Sequence, residues 1–518
     1  MALCSSNMED SVPVAIDLAD LGHMLARRQQ ALHPLGPPGP GRLPATVLYK
    51  ASVVKVLTTY QQVDFDVPWQ SCRPSSCSGS GVCIEGGLIL TAAHVVADGT
   101  FVQLQKSSDP GKAVADVVAV CHEADLALLK VVDDASPPGF LDDVPRAVLG
   151  APDFLPSLRS KISLVGFPVG GHELSITDGV VSRIEVQSYT HSSRRLLAIT
   201  VDAAMNSGNS GGPAFLRDTI LGIAIQGMDD AQNIGEIVPT CIIHHFLRCY
   251  FDGLPNVFPI LGIIHQTLEA PQLRRAKGMT DDMTGVLVAK TLYEMSAWER
   301  LLPGDVLLAI GGNRIHNNGT VLYAGKFRTF FSVLYHEFYV GDVLAIDVLR
   351  DGVVVSVDVE LKPYARLVPK QQYDIKPVYF IYGGLVFQPL TRGLLETWDD
   401  WRETAPKDLL YHYKCGVRTP ELEELVVFSG ILSDSINYGY DDYEHAIISS
   451  VNGVKVASVR DFVTKLETAI AGGSSTISIR TDNDIILFFD VDEVAAKQPA
   501  ILDRYKVPFD RSIHLRDE

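Results

Sequence analysis

The chain has 518 residues, of which 47% are hydrophobic and 20% charged, with a formal net charge of −18 and a sequence pI near 5.2. That length is too great for one domain and fits two to four, each able to bury a core. The acid excess argues against a general nucleic-acid binder, and no apolar run reaches the roughly 18–20 residues needed to span a bilayer.

Residues 1–44 read as an N-terminal extension. A short amphipathic stretch from Ile16 to Leu32 predicts a helix, and the Pro/Gly run from Pro34 to Gly41 reads as a linker. The segment serves either as a docking or regulatory tail or has no role. Its early acids, Glu9, Asp10, Asp17 and Asp20, fit neither a secretory signal nor a transit peptide. The expected compartment is therefore reducing and intracellular, with cytosol or nucleus favoured. The eight cysteines are sparse and contain no CxxC pair, which is neither a zinc pattern nor a disulfide framework. Cys72 and Cys77, on either side of a Ser/Pro-rich stretch, are either two free thiols or a reversible bridge.

Residues 45–253 carry short apolar runs broken by Gly, Asp and Ser, such as Val53–Leu57, Val117–Val120, Ile162–Val165 and Leu196–Val201. Runs at such intervals predict an all-β barrel or sandwich. Three places in this region carry chemistry. The stretch Gly208-Asn209-Ser210-Gly211-Gly212-Pro213 sets a serine in a tight turn, where glycines permit positive φ and close approach. A nucleophilic serine needs such a turn, with backbone N–H groups converging to hold an oxyanion. Upstream, a buried apolar strand ends in Thr91-Ala92-Ala93-His94, and between the two lies Glu123-Ala124-Asp125 ahead of another apolar strand.

Histidine, aspartate and serine thus follow one another at separations of 31 and 85 residues, the order of a chymotrypsin-type triad. Ser210 is the expected nucleophile, His94 its general base and acid, and Asp125 the residue that orients the imidazole. The N–H groups of Gly208 and Ser210 are the expected oxyanion hole. No cofactor and no metal are needed for acyl transfer by these groups. His122 is the rival base and Asp202 the rival acid; neither sits in a comparable setting. A serine esterase of another fold is disfavoured, because its acid and histidine follow the nucleophile.

TAAHVV, the ADLALLK strand and DAAMNSGNSGGP, together with Gly79–Val82, Val165–Pro168 and Thr177–Ser182, resemble the Deg/HtrA family of serine proteases. The two-part C-terminal half is most similar to the plant and algal Deg subgroup, and the resemblance covers residues 48 to 505. It implies a mainly β chain: a chymotrypsin-like double β-barrel protease domain over 45–253, followed by two PDZ-like α+β domains and a polar tail. The first PDZ domain spans 254–363, with signatures at Leu301–Gly312 and Val340–Gly352, and Gly285, Val286, Leu287 and Val288 are its expected peptide-receiving strand. The second, diverged unit spans 364–505, with Gly383–Phe387 as its peptide-facing strand and a Trp398–Trp401 insertion that packs locally; the tail is 506–518.

In trypsin-like relatives an acid six residues before the nucleophile floors the specificity pocket. Ala204 stands there, with Ile223, Ala224 and Ile225 on the wall, so cleavage after small or medium aliphatic residues is expected. The resemblance implies an ATP-independent endopeptidase acting on unfolded or damaged proteins, with PDZ domains that bind peptide termini or internal segments. The alternative is a chaperone or PDZ scaffold whose protease domain rests inactive. Relatives assemble as trimers or multiples of trimers, for which Tyr60, Phe65 and Trp69 are candidate contacts, or else core residues. Relatives of the plant subgroup also occur in chloroplasts and mitochondria.

Overall fold

The computed structural model describes residues 49, 51–107, 109–168, 173–206, 208–227 and 234–516. The N-terminal helix and Pro/Gly linker expected above lie outside them. The described residues form one compact unit.

Six strands close a first barrel: β1 (Val53–Tyr60), β2 (Ser75–Cys83), β3 (Ile89–Thr91), β4 (Gly99–Lys106), β5 (Lys112–Cys121) and β6 (Leu126–Val131), in the order β1-β2-β3-β6-β5-β4. Period-two burial sets the inside: Val54, Val56, Leu104, Ala113 and Leu128 are fully buried. Between β3 and β4 the chain makes one helical turn, α1 (Ala93–Val96).

The second barrel uses β7 (Val148–Leu149), β8 (Lys161–Gly166), β9 (Ser175–Ser188), β10 (Arg195–Asp202), β11 (Pro213–Leu216), β12 (Thr219–Gly227) and β13 (Ile234–Pro239). Its order is β11-β8-β9-β10-β13-β12, and β11 also pairs with β12, so the ring closes; β7 adds in parallel outside β12. Helix α2 (Thr240–Asp252) then lays Ile242, Ile243, His245 and Phe246 inward and stops at Gly253, whose φ of 66° is the left-handed cap.

The next sheet runs β14 (Ile263–Thr267), β15 (Val286–Thr291), β16 (Val306–Ile310), β20 (Val343–Arg350), β21 (Val353–Glu360), with β17 (Asn313–Arg314) beside β16 and a separate hairpin of β18 (Thr320–Tyr323) and β19 (Phe327–Phe330). Helix α3 (Pro271–Ala276) joins β14 to β15. Here one expectation is corrected. Val286, Leu287 and Val288 lie on an interior strand, paired to Thr267, Gln266 and His265 on one side and tied to β16 and Asp305 on the other. Gly285 leads into that strand, with its N–H held by the Asn317 side chain. A strand bonded on both sides has no free donors and acceptors for a peptide. The edge strand is β14, entered through Leu261-Gly262-Ile263.

The last sheet is β22 (Phe380–Tyr382), β23 (Leu385–Pro389), β24 (Val426–Ile431), β25 (Ile447–Val451), β27 (Thr476–Thr481), β28 (Ile486–Asp490), with β26 (Val454–Lys455) beside β25. Between β23 and β24 the insertion folds into α4 (Arg392–Leu395), α5 (Trp401–Thr404) and α6 (Lys407–Cys415), where Trp401 packs in a local apolar cluster with Leu394, Leu395 and Leu409. Helices α7 (Val459–Ala471) and α8 (Val491–Arg504) follow. The Gly383–Phe387 expectation also fails: β23 is interior, covered by β22. Beyond β22 lies the chain's own C-terminal segment, not a loose polar tail. Ile381 N–H donates to Asp510 O at 2.7 Å, Ser512 N–H donates to Tyr379 O at 3.0 Å, and Leu515 is buried in the sheet's core.

Phe65 and Trp69 pack on this last unit, Phe65 against the Leu394–Trp401 cluster and Trp69 edge-on to Tyr379. Both side chains are partly buried in these contacts. Among the described residues Cys72 and Cys77 are free thiols, and no helix is long and apolar enough to cross a membrane.

Candidate active site

The strand order brings three distant stretches to one place. Gly81–Thr91 and Val82–Leu90 pair β2 with β3, and Leu90–Leu128 pairs β3 with β6, so the residues leaving β3 and entering β6 are neighbours. His94 leaves β3 on α1. Asp125 enters β6 from a single 3₁₀ turn, His122–Ala124, with a left-handed φ of 54°, a conformation aspartate tolerates better than most residues.

Asp125 is 2% exposed and grips the histidine twice. One oxygen accepts the backbone N–H of His94 at 2.8 Å and the other meets the ring Nδ1 at 2.7 Å. Two bonds from one carboxylate fix both the position and the rotation of the imidazole. Burial works against the imidazolium, yet the Asp125 carboxylate and its hydrogen bond outweigh it and lift His94 above the ordinary 6.5. Burial likewise opposes the Asp125 anion, but His94 and, less strongly, His191 hold its pKa below the usual 3.8.

The serine arrives from the second barrel. Gly208 and Gly211 have φ of 97° and 81°, which a side chain would strain. A Cβ on Gly211 would stand 2.2 Å from Ser80 O, 2.3 Å from Thr91 Oγ1 and 2.9 Å from Ala92 N. The nucleophile turn is therefore pressed against the two residues that lead into α1 and His94. β12 holds it from the other side: Gly211 N–H donates to Ala224 O at 2.8 Å, and Ala224 N–H donates to Gly212 O at 2.9 Å. Ser210 itself is half-buried. None of the described residues accepts a hydrogen bond from the N–H of Gly208 or of Ser210, and none bonds the Ser210 hydroxyl. Catalytic hydrogen bonds commonly tighten only when substrate is bound.

Ser80 was quoted above only as part of a motif. In the structure its N–H donates to Ser210 O, its hydroxyl donates to Gly208 O, and the same oxygen accepts Phe167 N–H, each at 2.8 Å. It ties the turn to both barrels. Only the Gly-Ser-Gly setting of β2, where a small polar residue is buried between glycines, hinted at this in the sequence. Ile223, Ala224 and Ile225 are buried on β12 and Ala204 is half-buried. His122 and Asp202, the rivals, are elsewhere engaged: His122 bonds His191 and Asp374, and Asp202 ends β10 exposed.

Residues 79–223 match the family model described as a trypsin-like peptidase domain, and residues 368–514 match the PDZ domain. Among curated proteins, the chain is 34% identical to protease Do-like 4, mitochondrial, of Arabidopsis thaliana, over 88% of this chain and 84% of that one. It is 33% identical to protease Do-like 2, chloroplastic, of the same plant (90% and 75%), and 29% identical to a serine protease DegP homolog of Plasmodium falciparum (81% and 58%). Among solved structures, the HtrA-type protease AlgW with tripeptide aligns at a TM-score of 0.48 and 24% identity, over 62% of this chain and 97% of that one. The domain matches and the Do-like relatives define a trypsin-like serine protease carrying a PDZ domain. The chain belongs to the Deg/HtrA family.

Proposed function

We propose that Ser210, His94 and Asp125 are the catalytic residues of an endopeptidase that hydrolyses unfolded or damaged protein without ATP. Ser210 Oγ attacks the scissile carbonyl while His94 Nε2 takes its proton and then returns it to the leaving amine. Asp125, bound at Nδ1, keeps the imidazole in the tautomer that can do this and stabilises the imidazolium. The N–H groups of Gly208 and Ser210 receive the oxyanion. The observation that carries the reading is the double grip of Asp125 on His94 beside a glycine turn packed on Thr91 and Ala92. The resting-scaffold alternative has no feature of its own in its favour.

Residues 45–253 are taken as the protease domain, 254–363 as a first PDZ unit and 364 onward as a second. Peptide recognition falls to the first. Its β14 edge faces Phe330, Phe331 and Tyr335 across a cleft bordered by Arg194, Arg195 and Lys370, cations suited to a carboxylate. The pocket residues Ala204, Ile223, Ala224 and Ile225 carry no charge, so cleavage follows small or medium aliphatic residues. A trimer, or a multiple of one, is the expected assembly, and sedimentation of the full chain reads it. Relatives that are mitochondrial or chloroplastic turn the expected compartment toward an organelle, which fractionation tests.

The deciding experiment labels the full chain with a fluorophosphonate probe, alongside Ser210→Ala, with casein as substrate. Labelling and cleavage that both vanish in the variant support the reading. Cleavage that survives Ser210→Ala, or peptides cut equally well after arginine, would overturn the nucleophile or the pocket respectively.

A further inference from the structure

The segment joining the last two sheets does not hang free. Lys370, Tyr373 and Asp374 bond to segments that flank His94 and Asp125 in the chain and to the hairpin of His191, and their bonds are specific. Asp374 Oδ1 accepts the N–H of Asp98 at 2.6 Å, and Asp98 Oδ1 accepts the N–H of Asp374 at 2.8 Å. The other Asp374 oxygen lies 2.8 Å from His122 Nε2. Asp98 stands four residues after His94, just past α1; His122 opens the 3₁₀ turn that ends at Asp125. One carboxylate thus ties together the segment that carries the base and the segment that carries the acid. Asp374 makes the reach with a left-handed φ of 58°.

A second contact runs parallel. His122 Nδ1 lies 3.0 Å from His191 Nε2, and the His191 ring centroid is 6.1 Å from that of His94. Tyr373 stacks on His191 at 3.9 Å between centroids and 15° between planes, while its hydroxyl donates to the His191 carbonyl at 3.0 Å. Lys370 Nζ fastens the same hairpin through Ser193 O at 2.9 Å. The ionisable groups around Asp374 are Asp98, His122 and His191; those around His191 are Asp125, His122, His94 and Asp374.

We propose that Asp374 and Tyr373 are positioning residues for the His94–Asp125 pair, supplied by the strap that links the two C-terminal units. The inference rests on the triad reading. It follows that catalysis depends on the placement of units that bind no scissile bond, because the strap runs directly into β22. A displacement of about 1 Å at a catalytic group can cost about a hundredfold in rate, so a tie of this kind has kinetic weight.

The test uses the full chain as wild type, Asp374→Asn, Tyr373→Phe and Tyr373→Ala, with an aliphatic fluorogenic peptide across pH and with the fluorophosphonate labelling rate. Asp374→Asn is expected to lower kcat about tenfold with KM changed less than about twofold. Its acid limb should move to lower pH, because an anion has left the imidazole cluster. Tyr373→Phe keeps the stack and should stay near wild type, while Tyr373→Ala follows Asp374→Asn. Thermal melting checks folding, and if Asp374→Asn does not fold, the Tyr373 pair decides. Wild type that labels, with kcat unchanged in Asp374→Asn and Tyr373→Ala and the acid limb unchanged in Asp374→Asn, overturns the strap's role alone. A faster variant also overturns it, making the strap a restraint. Wild type that neither labels nor cleaves removes the triad reading and this inference with it.

Discussion

Asp125 satisfies two donors of His94 at once, and that geometry sets how activity depends on pH. His94 must be neutral to accept the serine proton. Its pKa is held above 6.5 by the Asp125 anion and their hydrogen bond, against the opposing effect of burial. Activity is therefore lost as pH falls through a value higher than that of an ordinary histidine, and a kcat/KM profile should place its acid limb above pH 6.5. Asp125→Asn keeps the shape but presents Nδ1 with the wrong partner. The expected loss in kcat is about 10⁴-fold with little change in melting temperature. A loss below tenfold would mean that Asp125 does not orient the base. These residues were legible in the sequence because each sits in a setting that chemistry demands: glycines around Ser210, a strand end before His94, an apolar strand after Asp125. Ser80 was not, since a buried serine bonding backbone looks in sequence like any small residue on a strand.

At the scale of elements, turns are readable and edges are not. Gly211 is a case of the first. Its φ of 81° and a would-be Cβ 2.2 Å from Ser80 O leave no room for alanine. Gly211→Ala should abolish fluorophosphonate labelling while the far-ultraviolet circular dichroism of the chain stays that of a folded β protein; a variant that labels at the wild-type rate would count against the packed turn. The peptide edge is a case of the second. β14 and β15 are both short and both open on apolar residues, Ile263-Ile264 and Val286-Leu287-Val288, and that start does not say which of two adjacent strands is outermost. That is decided by register: β15 is paired on both sides, β14 on one. The same holds for β23, whose edge β22 occupies. Ile263 lines the cleft on β14 with Phe330 and Phe331. Ile263→Asp should weaken binding of an apolar C-terminal peptide by about tenfold, near 1.4 kcal/mol in fluorescence anisotropy. Substitutions at Leu385–Phe387 that preserve the fold should leave that binding unchanged. The reverse pattern would place recognition on the second unit.

Across the whole molecule, a protease domain followed by a PDZ domain was legible from motifs, but the contacts between these parts were not, because they join residues far apart in the chain. The strap at Asp374 is one. The packing of α2 against Phe258 and against Tyr339, just ahead of β20, is another, and it has a thermodynamic consequence. His245 is 3% exposed, sandwiched between Phe258 at 4.1 Å and Tyr339 at 4.4 Å, and neither ring nitrogen has a partner among the described residues. Burial pushes its pKa down to about 4, and that of His336, in the neighbouring turn, down to about 3. The buried His191 stands at about 4 for the same reason. A histidine whose folded pKa lies below its unfolded value contributes nothing pH-dependent above about pH 6.5. Below that, the unfolded chain takes up protons that the packed chain refuses, and stability falls until pH drops below the folded pKa. The window is thus from about pH 6.5 down to about pH 3–4, set by these three rings. Melting temperatures taken through this range should fall more steeply than carboxylate titration alone would give. His245→Phe retains the sandwich and removes one titration, so its curve should fall less steeply than that of wild type as the pH is lowered. Curves that stay parallel from pH 7 to pH 4 would show that the α2 interface is not where the chain takes up those protons, and would leave the other histidines held low by burial, His336, His191, His265, His316 and His445, to account for the acid sensitivity.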